Sequence, residues 1–92
     1  MAEYLTTAAK RYEDNLRSEK SILVTNWEHR YRQMTEDKVA VLTIRGIPVE
    51  QIDRYMRQRV SSMYVCMQRY ADSLEKAIPA RIRVYVNTLR IV

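Results

Sequence analysis

The residues that break helices are nearly missing from this chain. Of its 92 residues one is glycine, Gly46, and two are proline, Pro48 and Pro79. Gly46 and Pro48 fall together in the run RGIPVEQIDRYMRQRV, residues 45–60, near the midpoint. On either side the chain can carry long helices with no local obstacle.

The apolar pattern says where those helices lie. Over residues 2–34, Leu5, Ala9, Tyr12, Leu16, Leu23, Trp27 and Met34 share one stripe at 100° per residue. Glu19 and Lys20 fill the slot between Leu16 and Leu23, so the stripe weakens at RSEKS, a candidate bend. Over residues 48–78, Val49, Ile52, Met56, Val60, Met63, Met67, Tyr70, Leu74 and Ala77 step by three or four. Pro48 suits a first helical turn, where its missing N–H has no partner to lose. Glu50 and Asp53 near the start and Lys76 near the end favour the helix dipole, and Pro79 is the expected stop. Each helix would be about 45 Å long at ~1.5 Å per residue. Two such stripes face each other in a long antiparallel helical hairpin, a mainly α fold in a single domain, residues 1–92.

Two segments read differently. Residues 35–47 form a connector. Thr35 as N-cap, Glu36 and Asp37 behind it and Gly46 after the end argue a short helix. Val39, Val41, Thr43 and Ile44 argue a strand. The tail ARIRVYVNTLRIV, residues 80–92, alternates Ile82, Val84 and Val86 with Arg81, Arg83 and Tyr85. That is the pattern of a half-buried strand with one basic face. A lone strand is unstable, so the tail needs a partner. In the alternative α+β arrangement, residues 38–44 and 81–91 pair as strands.

The chemistry of catalysis is not legible here. There is one histidine, His29, and one cysteine, Cys66, on different expected helices. A zinc site wants three or four such ligands, and a Cys–His nucleophile needs the two side by side. Cys66 falls at the edge of the apolar stripe and reads as structural. The consecutive acidic pairs at 13–14 and 36–37 diverge by about 100° on a helix and make no carboxylate dyad. A single glycine builds no phosphate-cradling loop. The expectation is a protein that is not an enzyme and holds no cofactor or metal. No apolar run reaches the ~18 residues of a membrane span. The mixed, charged start MAEYLTTAAKRYEDN is unlike a signal peptide. A lone cysteine fits a reducing compartment, so the expected location is cytoplasmic, in the host cell if the gene is carried by a phage.

Charge is where the two parts of the chain differ. Residues 1–53 carry 8 basic and 9 acidic side chains, whereas residues 54–92 carry 8 basic and 2 acidic. Arg54, Gln58, Arg69 and Lys76 project away from the second stripe, and no acid lies between Asp53 and Asp72. Twelve of the 16 basic residues are arginine, and seven tyrosines stand beside no phenylalanine. Arginine gives bidentate contacts to phosphate and carboxylate, and arginine with tyrosine is a recognition composition. Arg54, Arg57, Arg59, Arg69, Arg81, Arg83, Tyr85 and Arg90 are the candidate binding residues.

The expected function is that of a non-catalytic binding protein. It would dock through this basic surface on an RNA or DNA backbone, or on a protein complex that handles nucleic acid. From size and character alone, one such role is a small phage or mobile-element inhibitor of a host nucleoprotein machine, of the anti-CRISPR type. The alternative is a self-assembling helical adaptor or structural protein, with a homodimer as its simplest form. The third reading takes residues 38–55 as a helix-turn-helix regulator. It is weakened by Glu50 and Asp53, acids placed where a recognition helix meets DNA.

Overall fold

A computed structural model describes residues 2–91, and the side chains of residues 3–90. Two α-helices of 43 residues each, α1 (Ala2–Ile44) and α2 (Val49–Ile91), account for nearly all of them. They lie antiparallel: Tyr12 meets Tyr85, Trp27 meets Tyr70, and Tyr31 meets Arg59. The rod so formed measures 67 × 18 × 16 Å. A helix of this size is about 64 Å long at ~1.5 Å per residue, so both helices run the full length of the rod. The helical hairpin expected from the sequence is present. Met1 and Val92, part of the expected domain, lie outside the described residues.

The turn is where the breakers are. Gly46 has φ of 75°, a left-handed conformation that costs a side chain roughly 1 kcal/mol or more and glycine almost nothing. The Ile47 N–H donates to the Leu42 carbonyl and the Gly46 N–H to the Thr43 carbonyl, each at 3.1 Å. This nested pair closes α1 and satisfies two of its orphan carbonyls. The Pro48 carbonyl then accepts from the N–H groups of Gln51 (3.0 Å) and Ile52 (3.1 Å), which opens α2.

Both segments read as something other than long helix are corrected. Residues 35–44 are neither a separate short helix nor a strand: they are the end of α1. Thr35 does not cap a helix. Its Oγ1 donates back to the Tyr31 carbonyl at 3.0 Å, one turn earlier in the same helix. The tail is helical through Ile91, and no strand occurs among the described residues, so neither the C-terminal strand nor the paired-strand alternative forms. Residues 78, 82, 85, 86 and 89 also carry a helical spacing, and all of them lean on α1. An α2 ending at residue 78 would have left Leu5, Ala9 and Tyr12 uncovered. Pro79 sits inside α2 on the exposed side and removes the hydrogen bond that residue 79 would give the Glu75 carbonyl. That costs about 3 kcal/mol, which the packing of Ile78, Ile82, Tyr85 and Leu89 offsets.

The seam between the helices is thin. Leu16 (3% exposed), Ile52 (8%), Met63 (1%) and Ile78 (4%) are its buried apolar side chains. Seam residues recur at intervals of eleven: Leu5, Leu16 and Trp27 on α1, and Ile52, Met63, Leu74 and Tyr85 on α2. Eleven residues over three turns is about 3.67 per turn, close to a relaxed helix, and needs no left-handed supercoil. The helices can therefore stay in contact over the whole length of the rod. The expected stripes are right in their middles and wrong toward the turn. Met34, Val49, Met56 and Val60 are exposed, while Tyr31, Thr35 and Arg59 face the seam instead.

Candidate nucleic-acid interface

The two helices divide the charge unequally. α1 holds seven basic and seven acidic residues; α2 holds eight and four, and Arg45 in the turn completes the net charge of +5. On α1 most cations are spoken for. Lys10 pairs with Asp14 (3.4 Å) and Arg32 with Glu28 (2.9 Å). Arg17 bridges Glu13 (3.1 Å) and, across the seam, Glu75 (2.8 Å), which also takes Lys20 (2.9 Å). The hydrogen bonds from Arg17 and then Lys20 hold the Glu75 carboxyl below its usual range, and those from Glu75 and Glu13 raise Arg17.

The candidate residues on α2 separate into two groups. Arg59 and Tyr85 belong to the seam. Arg59 lies 4.2 Å over the Tyr31 ring, donates from Nε to Thr35 Oγ1 at 3.4 Å, and offers its carbonyl to the Tyr31 hydroxyl at 3.0 Å. Tyr85 stacks on Tyr12 and is half-buried. The strand reading put Tyr85 on a basic face with Arg81 and Arg83, and the helix dissolves that face. Residues two apart on a strand point together, whereas on a helix they diverge by about 160°. Arg81 turns toward α1 and meets Glu19 at 3.7 Å.

The other group is exposed. Arg54, Arg57, Arg69, Arg83 and Arg90, with Lys76, have no acidic partner among the described residues. All six point about 120° to 160° away from the nearest buried residue of α2, at 100° per residue, and Arg90 also borders the groove beside Leu5 and Ile82. They form the back of α2, the side turned from α1. Asp72 interrupts this face, and accepts a hydrogen bond from Gln68 at 2.9 Å. Arg69, Lys76, Arg83 and Arg90 are seven residues apart, or about 10.5 Å per step at 1.5 Å per residue, with a drift of only ~20° each time.

That regular row is what the sequence reading missed. The seven-residue spacing was visible, but a strand beginning near residue 80 put Arg83 and Arg90 out of phase with Arg69 and Lys76. His29 and Cys66 are both exposed, on different helices, so Cys66 is not at the packed edge where the stripe placed it. Among the described residues, no helix is long and apolar enough to cross a membrane. No family model, curated protein or solved structure matches the chain.

Proposed function

We propose that this is a non-catalytic binding protein that docks on a nucleic-acid backbone through the back of α2. The observation that carries the reading is the row of unpaired cations, Arg54, Arg57, Arg69, Lys76 and Arg83, on one face of a helix 43 residues long. Cations in ion pairs lose most of their pull on a polyanion. Unpaired ones on a stiff helix keep it, and the row spans about 44 Å at ~1.5 Å per residue. The backbone would be read by charge, without base specificity. A role as a mobile-element inhibitor acting on a host nucleoprotein complex extends this proposal and rests on size and character alone. The helix-turn-helix reading loses support, because that motif crosses its helices at about 90–120° and Gly46 here joins two antiparallel ones.

The test is a titration of fluorescent single-stranded RNA and duplex DNA at 50 and 200 mM salt. Arg69→Glu with Lys76→Glu and Arg83→Glu should weaken binding at least tenfold, about 1.4 kcal/mol. It should also flatten the salt dependence, since the slope falls by about 0.7–0.9 for each phosphate that is no longer neutralised. Lys10→Glu with Arg11→Glu on α1 should do much less. Absence of salt-sensitive binding by the unmodified protein, or equal weakening by the two sets, would overturn the reading.

A further inference from the structure

The accessible surface of the hairpin is 7342 Å² for a chain of 11.0 kDa. A compact monomer of that mass exposes about 5,600 Å², so this chain shows about 1,700 Å² more than it should. The excess follows from the rod shape, 67 × 18 × 16 Å, and one side of the rod is apolar. On α2, Val49, Met56, Val60, Tyr64 and Met67 follow at intervals of seven, four, four and three, which keeps them on one side. Val49 is 71% exposed, Met56 42%, Val60 40% and Tyr64 55%. Beside them a groove of about 110 Å³ opens between the helices, floored by Met63 and bounded on α1 by Arg32 and Glu36. At 100° per residue Arg54, Arg69, Lys76 and Arg83 point about 120° to 180° away from Val60, whereas Arg57 lies about 20° from Tyr64 and borders this face.

We infer that a second copy of this chain covers this face, so that two hairpins form a four-helix bundle with the backs of both α2 helices outward. Three observations favour a second copy over another occupant. The surface this rod exposes beyond a compact monomer, about 3,400 Å² counted on both chains, is enough to supply the roughly 2,000–5,000 Å² that obligate homodimers bury. Among the described residues the seam holds four buried apolar side chains, and so thin a core gains most from being doubled. The face is methionine, valine and tyrosine flanked by the exposed Asp53 and Arg57, an apolar centre with a charged margin as at a bundle interface. The inference does not rest on nucleic-acid binding, because Arg69, Lys76 and Arg83 lie on the other side of α2 and only Arg57 borders this face.

The test is the mass of the full chain by sedimentation at micromolar concentration, with helicity measured alongside. The expected mass is twice 11.0 kDa. Val60→Glu with Tyr64→Glu should abolish the dimer, whereas Met34→Glu and Val84→Glu, at apolar positions exposed elsewhere (63% and 66%), should leave it intact. A double variant that is a folded monomer supports the inference. Where the double variant unfolds, Tyr64→Glu alone, at a position 55% exposed and outside the groove between the helices, should give a folded monomer. A monomeric or higher-order unmodified protein, or a dimer that survives the double change, overturns it.

Discussion

Tyr85 stacks on Tyr12 across the seam, with ring centroids 4.2 Å apart and planes inclined by 25°. The pair joins the first quarter of α1 to the last quarter of α2, beyond Pro79, and so helps to hold the ends of the rod together. Stacked aromatic pairs contribute about 0.5–1.5 kcal/mol beyond the area they bury. With the burial of the ring removed as well, Tyr85→Ala should destabilise by about 2 kcal/mol in chemical denaturation. At a temperature where the variant remains folded, its affinity for nucleic acid should be unchanged, because Tyr85 is not on the cation row.

Met63 is 1% exposed, the most buried side chain of the seam. Met63→Asp places an uncompensated carboxylate there and should cost about 3 kcal/mol or more, enough to remove most of the far-ultraviolet helix signal at 25 °C. Met34→Asp, on a residue 63% exposed, should change stability by less than about 0.5 kcal/mol.

Pro79 interrupts the hydrogen bonding of a helix that continues through it. Pro79→Ala restores the missing N–H and removes the ring's clash with the preceding turn. It also gives freedom back to the unfolded chain, which works the other way. The net expectation is a gain of about 2 kcal/mol, or roughly 10 °C in Tm for a chain of this size. An unchanged or lower Tm would mean that a bend at Pro79 is needed to seat Ile82 and Tyr85.

The Glu75 carboxyl is held below its ordinary range by Arg17 and then Lys20. Its folded pKa is the lower one, so its stabilisation is fully present above the unfolded value, about 4.3, and is lost as pH falls through the folded value. The Tm of the unmodified protein should therefore decline below about pH 5. Glu75→Gln should lower Tm at pH 7, and the difference should narrow as pH falls through the folded value. All of these groups are substantially solvent-exposed, so the effect should shrink at high salt.

The sequence alone determined the two-helix plan, because its evidence was local. Gly46 is the one residue suited to a left-handed closing position, Pro48 follows it, and three- and four-residue steps run on both sides. It also determined the excess of charge in the second part. The extent of each helix was decided by tertiary structure. Thr35 carries an N-cap's side chain, and Pro79 a helix stop's, yet both lie inside helices because each helix must match its partner over 43 residues. The alternation of Ile82, Val84 and Val86 is as regular as a strand's, but Leu5, Ala9 and Tyr12 needed covering, and only a helix could reach them in register. That long-range demand also separated the candidate residues, drawing Arg59 and Tyr85 into the seam and leaving Arg54, Arg57, Arg69, Lys76, Arg83 and Arg90 outside. Which face of a helix is inward depends on what lies opposite, and that is decided only when the two halves of the chain meet.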